Sequence, residues 1–188
     1  GLMQLMPKTG TWASEQVGLK NFKVSQLEDP ALERQIERAL RGGGLSPSRL
    51  QLELTESMAG QASALQTKLP ALKALGVSLA LDDFGTGYSS LACLHQLPVD
   101  VVKIDRSFVS QAATSSHHRV LIDATIRVAR SLAMTTVAEG IETRAQADVV
   151  RDLGCDKAQG YLFGRPMEAV EAEAWWERHF PMADAASA

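Results

Sequence analysis

Acidic side chains and one lysine recur at the ends of short apolar segments in this sequence. Glu53 lies in the first segment, Asp82 and Asp83 directly follow the second, Lys103 lies in the third, and Glu139 follows the fourth. Carboxylate oxygens suit Mg²⁺ or Mn²⁺, and a cluster of them repels itself unless it holds a cation. Two such ions about 3.5–4 Å apart can bind the attacking water and the leaving oxygen of a phosphodiester. The residue types therefore favour metal-assisted phosphodiester hydrolysis.

This chemistry requires elements that bring distant residues together. From Gln51 onward, apolar runs alternate with longer helical patterns, which is typical of βαβ units with a parallel sheet whose carboxyl ends share one face. The predicted strands are Leu50–Leu54, Val77–Leu81, Val99–Ile104, Thr135–Ala138 and Lys157–Leu162. The predicted helices are Pro30–Leu40 with Asp29 as N-cap, Ala59–Leu75, Ser89–Gln96, His117–Ala133, Arg144–Leu153 and Ala169–His179. We expect an α/β fold with about five parallel strands.

Each candidate residue also has a simpler interpretation. A single acidic residue at a strand end is usually a helix cap or a solvated loop residue. Lys103 is equally typical of an edge strand kept soluble by a charge, and Gln159 of a core amide with its hydrogen bonds satisfied. The loop after Asp82 and Asp83 has two glycines and three hydroxyls, so it can either approach a phosphate closely or form a tight turn. Only the joint pattern favours a site.

Composition excludes several other classes. The 188 residues are 45% hydrophobic and 22% charged with a net charge of −3, so a nucleic-acid footprint is not expected. No run approaches the roughly 18 apolar residues of a membrane span, and residues 1–7 lack the charged start of a secretory signal. The two cysteines have no metal-binding spacing, which favours a cytoplasmic protein. The length is short for a (β/α)8 barrel of about 250 residues.

Five motifs, in order, resemble those of the EAL-type cyclic-di-GMP phosphodiesterases. They are Leu-Glu-Leu-Thr-Glu-Ser at 52–57, Leu-Asp-Asp-Phe-Gly-Thr-Gly-Tyr-Ser-Ser-Leu at 81–91, Lys-Ile-Asp-Arg-Ser-Phe at 103–108, Val-Ala-Glu-Gly-Ile-Glu-Thr at 137–143 and Ala-Gln-Gly-Tyr-Leu-Phe at 158–163. The resemblance covers residues 28–178. It implies a modified TIM-type barrel that hydrolyses cyclic di-GMP to linear pGpG with Mg²⁺ or Mn²⁺.

The resemblance also implies roles for the residues named above. Glu53 and Asp82 would be metal ligands, and Asp83 would serve a second metal. Lys103 and Glu139 would be catalytic, with Lys103 positioning the attacking water.

Other motif residues would support the site. Gln159 and Asp105 would belong to the substrate or water shell, and Glu56 would anchor the loop Asp82–Ser90. That loop and the helix after it would form a homodimer contact.

The sequence departs from the family upstream of Leu50. The Glu-Ala-Leu segment is absent, we expect the family's metal-binding Asn to be absent too, and about three of eight strands would be missing. The expected barrel is therefore incomplete, and its phosphodiesterase activity impaired. The alternative is a non-catalytic module that binds cyclic di-GMP or regulates a partner.

The N-terminal segment differs in character from the rest. Residues 1–28, with a predicted helix at Thr9–Val17, resemble part of a soluble lytic transglycosylase, although an ordinary amphipathic segment fits as well. The predicted organisation is a helical segment at 1–28, a truncated EAL domain at 29–180 and a flexible tail at 181–188.

Overall fold

The described residues form a six-stranded parallel sheet flanked by helices. The computed structural model describes residues 17–19, 27, 29–56, 62–85 and 91–179. The strands are β1 (Val17–Leu19), β2 (Leu50–Thr55), β3 (Ser78–Phe84), β4 (Val101–Ile104), β5 (Thr135–Ala138) and β6 (Lys157–Ala158), each paired with the next in chain order. The α-helices are α1 (Leu32–Gly43), α2 (Ala62–Ala74), α3 (Arg106–Gln111), α4 (Ser116–Ser131), α5 (Arg144–Asp152) and α6 (Ala169–His179). Among the described residues, 3₁₀-helices span Pro47–Arg49 and Leu91–Gln96.

The register divides the sheet into two different faces. Residues paired between neighbouring parallel strands point to the same side, and successive residues alternate. One face is aliphatic: Leu52 pairs with Leu79, and both are fully buried in the main core. The other face is small or polar, because Glu53 pairs with Ala80 and Lys103 pairs with Val137. The polar side chains therefore lie on the face of the sheet opposite the one that packs in the main core.

The helices cover the aliphatic face through single apolar stripes. In α1, the buried residues Leu32, Ile36 and Leu40 recur every four positions. In α4, Ile122 and Ile126 do the same. This spacing places each set on one side of its helix, as expected for helices packed on a sheet.

The parallel α/β fold is confirmed, with several local differences. The predicted start of α1 is close, since the Asp29 carboxylate accepts the Ala31 N–H at 2.8 Å and the helix begins at Leu32. Strand β3 continues through Phe84, and β6 ends at Ala158 because the chain turns at Gly160. Helix α3 was not predicted. The predicted helix Ser89–Gln96 is a 3₁₀-helix from Leu91, its first residues lying outside the described part.

Strand β1 is the largest difference. Val17, the predicted end of a helix, pairs in parallel with Leu50, and Leu19 pairs with Leu52. Residues 1–16 lie outside the described residues, so the remainder of that predicted helix is not tested. An incomplete barrel was expected, with about five strands, and the residues that the structure describes form six. Within the described part of the chain, no helix has the length and apolar character needed to cross a membrane.

Candidate metal centre

Lys103 lies at the centre of the polar face, among three carboxylates. Its Nζ lies 2.7 Å from Asp82 Oδ1, 2.8 Å from Glu139 Oε1 and 3.1 Å from Glu53 Oε1. The lysine is 1% exposed, so the interpretation as a solubilising edge lysine is wrong. Burial disfavours its ammonium form, but Glu139 and Asp82 outweigh burial and raise the pKa of Lys103 above its usual range. Lys103 is therefore a permanent cation at neutral pH.

A bulge in β3 brings two adjacent aspartates to the same site. Successive strand residues normally face opposite sides, yet the β3–β4 register shifts between Leu81 and Phe84. Asp83 takes a left-handed conformation with φ 56°, which aspartate tolerates better than most residues. One carboxylate oxygen from each of Asp82, Asp83 and Glu139 then lies within 4.8 Å of the others. The bulge explains how neighbouring residues can both serve one ion.

Glu139 and Gln159 complete the far side of the cluster. Glu139 follows β5, and its Oε1 accepts a short hydrogen bond from the Gln159 Nε2. Burial raises the pKa of Glu139, the Lys103 charge opposes that rise, and Asp82 and Glu53 add to it. Gln159 therefore stabilises the carboxylate form of a group that its surroundings make less acidic.

The residues present fit a divalent cation. Glu53 Oε2 is buried with no hydrogen-bond partner, although unpartnered buried oxygens are costly. Together with Asp82, Asp83 and Glu139 it gives four carboxylates against the single charge of Lys103. Hard oxygen donors with an excess of negative charge are the ligand set of Mg²⁺ or Mn²⁺.

Two other candidate residues lie beside the cluster. Glu56 is 2% exposed, and its Oε2 accepts the Gly85 N–H at 2.8 Å, which ties the end of β2 to the turn after Asp83. The rest of the predicted loop, residues 86–90, lies outside the described residues. Asp105 caps α3 by accepting the Ser107 N–H at 2.9 Å. Its observed role is therefore that of a helix cap.

Gln51 is a neighbour of the cluster that sequence reasoning missed. Its Nε2 lies 3.4 Å from Glu53 Oε1, and the residue is 5% exposed. The available signal was alternation, since Gln51, Glu53 and Thr55 are the polar positions of a strand whose other residues are leucine. Period two alone would have assigned Gln51 to the site face.

Fold and site together define a parallel α/β protein with a carboxylate cluster, a candidate metal centre, at the carboxyl ends of its strands. The EAL domain model matches residues 3–166. The chain belongs to the EAL domain family. The match includes most of residues 1–28, so the resemblance of that segment to lytic transglycosylases gains no support, and a boundary at residue 28 stays a prediction.

Relatives and solved structures agree with this assignment. The bifunctional diguanylate cyclase/cyclic di-GMP phosphodiesterase MucR of Pseudomonas aeruginosa is 43% identical over 152 residues, or 80% of this chain and 22% of that protein. A structure of the MucR phosphodiesterase in complex with c-di-GMP has a TM-score of 0.75 at 39% identity, covering 84% of this chain and 64% of that one.

A manganese and cyclic di-GMP complex of BlrP1 from Klebsiella pneumoniae has a TM-score of 0.76 at 30% identity, covering 80% of this chain and 39% of that one. The chain spans about a fifth of the length of the first curated relatives that it matches, at 20%, 19% and 22%.

Proposed function

We propose that this chain carries the metal and substrate site of a cyclic-di-GMP phosphodiesterase. The observation that carries the proposal is the convergence of Glu53, Asp82, Asp83 and Glu139 around Lys103. Relatives named as cyclic di-GMP phosphodiesterases, and structures with c-di-GMP, supply the substrate class. The chemistry is attack of water on a phosphodiester phosphorus, with release of the ribose 3′ oxygen to give linear pGpG.

The contacts support a role for each residue of the cluster. Glu53, Asp82 and Asp83 would hold Mg²⁺ or Mn²⁺, which when bound supplies positive charge to the phosphate and makes water a better nucleophile. Glu139 would accept a proton from water or complete the metal shell, with Gln159 fixing its orientation. Lys103 would hold water or offset phosphoryl charge. As observed, three carboxylates share its three N–H donors, so one of them must turn away before Lys103 can bind water.

Strand β1 revises one expectation about the missing ligands. The expected loss of the family's asparagine assumed that no strand preceded Leu50, but β1 precedes it and ends at Leu19. Asn21 follows in the sequence and lies outside the described residues. We therefore propose Asn21 as that asparagine. The Glu-Ala-Leu glutamate has no such candidate, because no Glu-Ala-Leu segment occurs in the sequence.

For the 188-residue chain itself we accordingly propose hydrolysis that is absent or far slower than in relatives. The assay is incubation with cyclic di-GMP and Mn²⁺ and chromatography for pGpG. Turnover comparable to that of MucR would contradict this proposal.

Metal binding tests the site independently of turnover. By calorimetry we expect Mn²⁺ to bind, and Asp83→Asn to weaken binding at least about tenfold through loss of a charged ligand. Asp123→Asn is the matched control, because Asp123 is a surface carboxylate that pairs with Arg127 on α4 and belongs to no part of the site. Equal affinity in Asp83→Asn and Asp123→Asn would refute the assignment of Asp83.

The absent glutamate favours a second candidate, a module that binds cyclic di-GMP without cleaving it. Calorimetry with cyclic di-GMP in the absence of metal separates the two, because a binding module should show affinity where the enzyme shows no turnover. We also propose a cytoplasmic location, from the isolated cysteines, and a homodimer contact through the Asp82–Ser90 loop and the helix after it. Size-exclusion chromatography with light scattering tests the dimer.

A further inference from the structure

Helix α3 lies between two turns of the metal centre. It begins directly after β4, and its cap, Asp105, fixes its first turn. β4 separates β3, which carries Asp82 and Asp83, from β5, which leads to Glu139. The helix that follows β4 is therefore placed between the ends of the two strands whose carboxylates must meet.

One side of α3 packs on the turn after Asp83. Gly85 has φ 107°, and a Cβ there would lie 2.6 Å from Phe108 Cε2 and 2.9 Å from Phe108 Cζ. The Gly85 N–H donates to Glu56 at 2.8 Å. The turn is thus held between Glu56 and the Phe108 ring, with room only for glycine.

The other side of α3 packs on the turn after Glu139. Gly140 has φ 68°, and a Cβ there would lie 2.7 Å from Arg106 Cβ and 2.8 Å from Arg106 Cδ. The Arg106 Nη2 lies 2.9 Å from Glu142 Oε1. The aliphatic stem of Arg106 therefore lies against Gly140, and Glu142 holds its guanidinium beyond the turn.

From these contacts we propose that α3 is a spacer that sets the distance between the Asp82–Asp83 pair and Glu139, with Phe108 and Arg106 as its positioning residues. Neither side chain needs to touch the ion. Each touches the glycine that ends a ligand-bearing turn, so a shift of α3 is passed directly to the carboxylates. The consequence for metal affinity rests on the proposed function, whereas the spacing itself does not.

Metal affinity measured at matched stability gives the first test. Arg106→Ala removes the stem from Gly140, and because this side chain is 64% exposed the fold should tolerate the change. We expect about tenfold weaker Mn²⁺ binding, in the range found when groups that orient metal ligands are removed. Arg106→Lys keeps most of the stem and should recover most of the affinity. If Arg106 acts only through its charge, Arg106→Ala should lose little Mn²⁺ affinity at high salt. That result would overturn the contact between the Arg106 stem and Gly140 as the cause.

Phe108→Leu tests the other contact, and Gln111→Ala is the control on the same helix. Gln111 is exposed, and the atoms nearest to Gly85 and Gly140 belong to Phe108 and Arg106 instead. We expect Phe108→Leu to weaken Mn²⁺ binding and Gln111→Ala to leave it unchanged. Equal affinities in Arg106→Ala, Phe108→Leu and Gln111→Ala would overturn the proposal.

A metal-free measurement separates this proposal from the proposed function. If the unmodified chain binds no Mn²⁺, the proposed metal centre is refuted, but crystal structures still test the spacer role of α3. Crystal structures of the unmodified chain and of the Arg106→Ala/Phe108→Leu double variant give the distance between the Asp83 and Glu139 Cα atoms. A changed distance supports the spacer, and an unchanged one refutes it.

Discussion

Acidic residues occur at both ends of the sheet, and they behave in opposite ways. At the carboxyl ends, Asp82 and Glu139 gather around one ammonium group. At the amino ends, Asp100 and Asp156 each accept a backbone N–H from a neighbouring strand, Leu79 and Thr136 respectively, both at 2.8 Å. An aspartate directly before a strand thus accepts a hydrogen bond from a backbone N–H of the neighbouring strand. The acidic residues at the carboxyl ends instead form a cluster of negative charge. The first arrangement stabilises the fold, and the second provides a site for a cation.

The largest expected effect comes from removing the Lys103 ammonium group at the carboxyl ends of the strands. Lys103→Met keeps the apolar length but leaves the buried Glu53 and Asp82 and the partly buried Glu139 without their counter-ion. We expect the metal-free chain to lose about 3–5 kcal/mol of unfolding free energy in urea titrations, as when one partner of a buried ion pair is deleted. A loss below about 1 kcal/mol would show that the carboxylates relax into water.

Lysine 157 provides the matched control for this variant. It pairs in register with Val137, which pairs with Lys103, so both lysines lie on the same face. Burial lowers the pKa of Lys157 and the charge of the adjacent Asp156 opposes it, but among the described residues no carboxylate lies within ion-pair distance of Lys157. Lys157→Met should therefore leave stability nearly unchanged.

The raised pKa of Lys103 determines how the stability loss in Lys103→Met depends on pH. Because its folded pKa is raised, its contribution is fully present below the ordinary lysine value of 10.5 and disappears only as pH rises through the folded pKa. The difference between Lys103→Met and the unmodified chain should stay constant from about pH 6 to pH 9. It should shrink in acid as the carboxylates become protonated. A difference that fell across the neutral range would mean that Lys103 titrates there.

At the amino ends the expected loss is smaller and leaves the metal unaffected. Asp156→Ala removes the acceptor for both the N–H and the Oγ1 hydroxyl of Thr136, a residue that is 1% exposed. We expect a loss of about 2 kcal/mol, within the cost of leaving buried polar groups unpaired, and an unchanged Mn²⁺ affinity. Asp152→Ala, which removes only a surface carboxylate, is the control. Weaker Mn²⁺ binding in Asp156→Ala would mean that the two ends of the sheet are coupled.

The sequence predicts the acidic cluster at the carboxyl ends of the strands better than the aspartate contacts at their amino ends. Apolar runs that stop at Glu53, Asp82 or Glu139 mark strand ends, and the parallel fold brings such ends together. Asp100 and Asp156 carry no comparable signal, because their partners depend on the register between strands.

Local geometry explains the remaining omissions. β1 is three residues long and contains a glycine, so its pattern is too short to read. Helix α3 has six residues and buries only Val109. The bulge that turns Asp83 toward Asp82 reflects a register shift, which a list of residues does not contain.

Acid should weaken metal binding at the carboxyl ends before ordinary carboxylates titrate. Burial raises the pKa of Glu139 above its ordinary value of 4.5. Between pH 4.5 and this raised pKa, the Glu139 carboxyl group is therefore protonated in the folded chain and ionised in the unfolded chain. Metal must displace this proton, so Mn²⁺ affinity should fall about tenfold, or about 1.4 kcal/mol, per pH unit below the folded pKa. Calorimetry from pH 8 downward measures the fall. Affinity that stays flat down to pH 4.5 would contradict it.

The smallest effect compares two residues with the same left-handed backbone conformation. Among the described residues, Asp83 at φ 56° and Ala133 at φ 57° are the non-glycine residues with positive φ, one at each end of the sheet. Ala133 follows α4, where glycine is favoured, so Ala133→Gly should stabilise the chain by about 0.5–1 kcal/mol without altering Mn²⁺ affinity. Asp83→Gly relieves less strain, because aspartate tolerates this conformation better than alanine does, and it deletes a ligand, so it should gain less stability while losing affinity. If both variants gain stability and only Asp83→Gly binds Mn²⁺ more weakly, then the strain at Asp83 serves the site, whereas the strain at Ala133 serves no ligand. Equal Mn²⁺ affinities in the two would remove Asp83 from the metal centre.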